Sequence, residues 1–187
     1  MNPEIKQALF RTLPFLLLIL GIAFGIRTKR LNPRDLHLSA PTSYSALLRW
    51  WLGFLLYVLL TEVVLYQLGL LQVSPWRDAL LPSLIKLAGM VILAPIGEEL
   101  LFRGVLLARL QSWKVGKHAA ILIQAVLFVL VHSAAFSLSL TANIGKVQLF
   151  VDSLIFAYAL YATRSIFTPM ALHATGNAIA ALEQFVL

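Results

Sequence analysis

Glu98 and Glu99 stand side by side at the end of an apolar run, Ala79 to Gly97, of about 19 residues, long enough to cross a bilayer. Arg103 follows four positions after Glu99. Carboxylates at membrane depth are costly to bury and mark places where polar chemistry is needed. Two further apolar segments each deliver a histidine, in Phe128-Val-Leu-Val-His132 and in His173-Ala-Thr-Gly-Asn177. A general base, an imidazole that shares or relays the proton and donors for an oxyanion are the parts of amide hydrolysis by an activated water, with no covalent intermediate. The same donors suffice for a divalent metal such as zinc, held by Glu98, His132 and His173 with a position open for water. No His-Glu-x-x-His helix adds weight to that second chemistry.

Each motif alone also has a structural explanation. Glu99 and Arg103 are spaced i, i+4 with the glutamate first, the favourable order for an intrahelical ion pair. Glu98 is then rotated by about 100° and faces elsewhere. That division leaves Arg103 to hold Glu99 ionised and Glu98 to point into a cavity as a base; a salt bridge near the interface would use the same residues. His132 ends an apolar stretch and by itself reads as a packing residue. His173 and Asn177 share a helix face, with Gly176 leaving room for close approach, as interhelical hydrogen bonding would also require. A carboxylate, two histidines and an amide together inside apolar helices are the less incidental combination.

The chain has 187 residues, 60% hydrophobic and 12% charged, with a mean hydropathy of +0.86. That composition is an integral membrane protein's. Without cysteine, disulfides, thiolate catalysis and cysteine-based metal sites are excluded. The net charge of +7 is carried by residues flanking apolar runs, not by a stripe with interleaved aromatics, so it signals topology and no nucleic acid partner. No linker or charge block divides the chain, which is expected to form a single membrane domain over 1–187, with 79–181 as its core.

The elements that must position these residues are helices. Hydropathy places six membrane segments, Leu13–Ile26, Leu52–Leu71, Ala79–Leu110, Ala119–Leu140, Val147–Thr163 and Phe167–Val186, in an all-α polytopic bundle. The first is short. The third, about 48 Å long if straight, must tilt, bend near Pro82 or Pro95, or leave the bilayer after its motif. Lys29, Arg30, Arg34, Arg109, Lys114, Lys117 and Arg164 gather at one side, which the positive-inside rule makes cytoplasmic. Measured from that side, Glu98, His132, His173 and Asn177 have overlapping depths, so one cavity can hold all four. Glu62 and Lys86 are expected to pair, Asp152 to approach the interface, and Trp50, Trp51 and Trp76 to be interfacial anchors.

In order and in spacing, Glu98-Glu99 with Arg103, then Phe128 with His132, then His173 with Asn177 resemble the CAAX protease and bacteriocin-processing family of intramembrane proteases, typified by type II CAAX prenyl endopeptidases. The resemblance covers about half the chain, Ala79 to Ala181. It implies a multi-helix fold, a metalloendopeptidase class, and activation of water by Glu98 and His132 with His173 and Asn177 stabilising the oxyanion. The sequence departs from the pattern before His173, where Asp152 and bulky residues stand at positions glycine often takes, which bears on substrate access more than on the polar set. Two functions follow as expectations. One is an intramembrane endopeptidase acting on a membrane-associated polypeptide near the cytoplasmic face. The other is a catalytically silent scaffold that binds partner membrane proteins through its helices. A proton or ion pathway fits less well, because the polar residues cluster in one half of the bilayer.

Overall fold

The apolar runs become helices bounded by ordinary capping chemistry. The structure, a computed structural model, describes residues 2–71, 73–132 and 140–186, with side chains described from 143 onward in the last stretch. Among the described residues there are six helices and no strand: α1 (Pro3–Arg27), α2 (Tyr44–Gln67), α3 (Leu80–Ser112), α4 (Lys117–His132), α5 (Leu140–Thr163) and α6 (Phe167–Val186). Asn2 caps α1 by accepting from the Glu4 amide at 2.8 Å, with Pro3 at the first turn where no N–H is needed. Ser43 caps α2 through the Ala46 amide at 3.2 Å.

Four helices are long and apolar enough to cross a membrane, namely Pro3–Arg27, Tyr44–Gln67, Leu80–Ser112 and Asn143–Thr163. The chain is an integral multi-pass membrane protein. The six membrane segments expected from hydropathy are thus six helices of which four meet this standard. Helix α4 is 16 residues long, and the end of its expected segment, 133–139, lies outside the described residues. Helix α6 carries Asn177, Glu183 and Gln184 besides His173. The first segment is not short: α1 runs for 25 residues, because Glu4, Lys6 and Arg11 hide its first turns from a hydropathy reading.

The two ends of the bundle are tied separately. At one end the α1–α2 loop is fastened to the α5–α6 corner: Ile166 N donates to His37 O at 3.1 Å, Thr42 N to Thr163 O at 3.0 Å and Ser165 Oγ to Ser39 O at 2.6 Å. The side chain of Leu36, 1% exposed, plugs the core there. At the opposite end Ala79 N donates to Glu4 Oε2 at 3.4 Å and Trp76 N to Gln184 O at 2.8 Å. Helix α1 packs along α3, α2 lies against α5 and α6, and α4 pairs with α5. Gly89 and Gly97 let α1 approach α3 closely: a Cβ at Gly89 would collide with Thr12, and one at Gly97 would sit 3.4 Å from the Phe15 carbonyl. In lipid, apolar burial between helices contributes little. Close fit and interhelical hydrogen bonds, each worth about 0.6–2 kcal/mol, must do more of the holding.

The expected pair of Glu62 with Lys86 does not form. Lys86 pairs with Asp78, and Glu62 accepts from Gln148 Nε2 at 3.0 Å. Opposite charge at similar depth misled, because α2 packs on α5 and α6 while α3 packs on α1. The tryptophans are anchored by bonds of their own: Trp51 Nε1 donates to Thr175 Oγ1 at 2.8 Å and Trp76 Nε1 to Ser83 Oγ at 2.8 Å.

Candidate active site

Helix α3 changes its winding along its length. Two stretches, Gly89–Leu93 and Leu100–Leu106, are π-helical, flanking the α-helical Ala94–Glu99. Each π turn takes in one extra residue, so side chains beyond it are displaced by about 100° from their places on an uninterrupted helix. In the first stretch Ala94 N–H bonds to Gly89 O. The next bond in that register would run from residue 95 to Met90 O, and Pro95 has no N–H to give. The freed Met90 carbonyl instead accepts Asn177 Nδ2–H at 2.7 Å. Pro95 thus leaves a backbone acceptor that Asn177, on another helix, satisfies.

Beyond this turn the paired glutamates diverge as their spacing requires. Glu99 Oε1 accepts from Arg103 Nη1 at 3.0 Å, with both side chains fully buried. The same oxygen lies 2.9 Å from His173 Nδ1. An ionised carboxylate only accepts, so Nδ1 carries a proton and His173 turns Nε2 the other way. His132 is set similarly: its Nδ1 lies 2.8 Å from the Phe128 carbonyl, which also only accepts. Both free Nε2 atoms face Glu98, His132 at 3.5 Å and His173 at 3.9 Å from the same Oε2. That oxygen is buried and has no hydrogen-bond partner among the described residues. The rings are fixed by aromatic neighbours: His173 stacks on Phe156 at 5.2 Å, and His132 tilts against Phe128 at 4.4 Å between centroids. Glu98 is nearly enclosed, while the His132 side chain is 30% exposed and forms the open side.

The geometry brings together Glu98, Glu99, Arg103, His132 and His173. Asn177 stands one helical turn beyond His173, and both line a cavity of about 220 Å³ whose remaining wall includes Phe54, Phe128 and Phe156. Glu62, Gln148 and Asp152 line the same cavity. Asp152 is therefore part of the cavity wall and not a residue approaching the interface. Among the described residues no group of three His, Asp or Glu side chains is gathered as a metal-ion site.

Two residues behind the site escaped the motif reading. Ser153 and Gln124, both fully buried, bond to each other, and Ser153 also bonds to Arg103. A lone amide in the apolar run of α4 and a serine beside Asp152 in α5 were the available signals, since a polar side chain inside such a helix must find a partner.

A model of the Rce1-like type II CAAX prenyl endopeptidase family matches residues 80–179, just over half of the 187-residue chain. The matched stretch contains every residue of the cluster. No curated protein and no solved structure matches the chain.

Proposed function

The chain belongs to the Rce1-like type II CAAX prenyl endopeptidase family of intramembrane proteases, and on that premise we propose that it hydrolyses a peptide bond of a membrane-associated protein or peptide with a water activated by Glu98. One observation carries the reading: a buried, unpartnered Glu98 oxygen faced by two imidazole Nε2 atoms at 3.5 and 3.9 Å.

In this mechanism Glu98 takes a proton from water as the water oxygen attacks the scissile carbonyl carbon. His132 Nε2, held toward Glu98 by the Phe128 carbonyl behind it, orients that water. The carbonyl oxygen becomes an oxyanion. His173 turns Nε2 toward it while Nδ1–H stays hydrogen-bonded to Glu99, and donation from Nε2 requires that nitrogen to carry a proton as well. Asn177 Nδ2 has a second N–H beyond the one on Met90 O, and this also faces the oxyanion. The proton on Glu98 then passes to the leaving nitrogen as the C–N bond breaks, restoring the carboxylate. Glu99 and Arg103 hold His173 and take no proton. The substrate is taken to enter from the membrane, and the positive-inside rule supports a site in the cytoplasmic half of the bilayer.

Glu98→Gln keeps the shape and removes the base, so turnover falls by about 10²–10⁴-fold or more. The test compares wild type with Glu98→Gln in the native membrane, scoring uncleaved membrane-associated polypeptides together with rescue of a deletion phenotype. Loss of rescue with accumulating precursors supports proteolysis and identifies a substrate. Full rescue by Glu98→Gln sinks it and leaves a scaffold that binds other membrane proteins through its helices.

A further inference from the structure

The ion pair behind His173 is itself held from behind. Arg103 turns Nη2 away from Glu99 and donates to the Ser153 carbonyl at 3.1 Å and to Ser153 Oγ at 2.8 Å. Ser153 Oγ–H donates to Gln124 Oε1 at 3.3 Å, and Gln124 Nε2 donates to the Ser153 and Ile121 carbonyls at 3.2 and 3.0 Å. Glu99, Arg103, Gln124 and Ser153 are all 0% exposed.

The direction of every bond is forced. Arginine has only donors, so Ser153 Oγ accepts from it and its single proton must go to Gln124. Gln124 presents Oε1 to that proton because its Nε2 is committed to two carbonyls. At the other end Arg103 leaves Glu99 acceptor-only, and Glu99 fixes the proton of His173 on Nδ1. Reversing one link would set like against like in a fully buried chain, at the full penalty of unsatisfied groups. The chain of bonds crosses α4, α5, α3 and α6 in turn.

We propose that Gln124 and Ser153 are positioning residues of the hydrolytic site, fixing the Arg103 guanidinium so that Glu99 holds the His173 proton on Nδ1 and Nε2 is presented to Glu98. Both act through Arg103. The catalytic meaning rests on the peptidase reading; the wiring does not.

The chain has four histidines, so the imidazole nitrogens of uniformly ¹⁵N-labelled protein in nanodiscs are few enough to resolve by two-bond ¹H–¹⁵N correlation, with His173→Gln assigning the signal. Over a pH series the signals of the neutral ring show wild-type His173 as the Nδ1–H tautomer. Gln124→Met and Ser153→Ala shift His173 toward a mixture with the Nε2–H form, and Ser153→Thr, which keeps the hydroxyl, restores the wild-type pattern. A folded Gln124→Met protein with wild-type His173 signals overturns the proposal. Because Gln124→Met leaves every Arg103 partner in place, it decides the matter if Ser153→Ala fails to fold. Should Gln124→Met also fail to fold, Ser153→Thr against Ser153→Cys, which weakens the acceptor at similar volume, decides by the same signal. In the precursor assay the Met and Ala variants lower turnover by about 10- to 100-fold. If Glu98→Gln leaves precursors unchanged there, the peptidase reading falls while the tautomer result still judges the wiring.

Discussion

Arg103, like Glu99, is a charge with no exposure at all, and the surroundings of its guanidinium explain how the bundle tolerates it. Besides Glu99 and Ser153 it meets two aromatic faces, with its guanidinium carbon 4.8 Å from the Phe128 centroid and 5.3 Å from that of Phe156, contacts worth about 2 kcal/mol when desolvated. Removing one member of a buried pair leaves the other uncompensated, so Arg103→Leu is expected to destabilise by about 3–5 kcal/mol. Arg103→Lys keeps the charge but not the planar fork that reaches Glu99 and Ser153 together, and falls between the two. Reversible unfolding in mixed micelles measures both, and a loss under about 1 kcal/mol for Arg103→Leu would show that the pair is not holding the site. The Glu99–Arg103 pair was legible in the sequence because i, i+4 spacing is a local property of one helix. Ser153 and Gln124 were not, since their partners lie on other helices and a single serine or glutamine gives no spacing to read.

Within α3 the consequence of Pro95 reaches another helix. The Met90 carbonyl accepts from Asn177 because residue 95 cannot donate, so the two residues should be energetically coupled. Asn177→Ala in the native background leaves a part-buried carbonyl without its partner and costs about 1 kcal/mol or more. In a Pro95→Ala background the new N–H can take the carbonyl, and the cost of Asn177→Ala should drop by more than half. A double-mutant cycle on unfolding free energies reads the coupling, and additive effects would refute it. Gly89→Val should be worse than either, because any Cβ there collides with Thr12 of α1; its signature is a lower melting temperature without restoration by Thr12→Ser, which retains the offending hydroxyl. The sequence showed that α3 was too long for one straight span and marked Pro95 as a place of adjustment. It could not show π winding, which is fixed by how the freed carbonyls find partners across the bundle.

At the scale of the whole molecule, the segments were legible because apolar runs interrupted by basic loops are a strong signal. Their number as membrane crossings was less so, since α6 mixes apolar residues with the polar ones the site needs. The loops tie Lys29, Arg30, Arg34 and Arg164 to one end through the bonds between residues 37–42 and 163–166, while Lys6, Arg77 and Lys86 lie toward the other. His173 stands six residues into α6, about 9 Å from the basic end, so orientation decides from which side of the membrane the site is reached. The chain contains no cysteine, which makes single introduced cysteines unambiguous reporters. Ala40→Cys and Ser112→Cys, both exposed at the basic end, should react with an impermeant maleimide in inverted vesicles and not in intact cells. Lys6→Cys and Ser74→Cys, exposed at the opposite end, should show the reverse. Labelling of Ala40→Cys and Ser74→Cys from the same side would break the alternation of α1, α2 and α3 across the bilayer. Labelling of Ala40→Cys in intact cells, with Ser74→Cys protected, would keep the fold, invert it, and move the site to the outer half of the membrane, where its substrates would have to present themselves from outside.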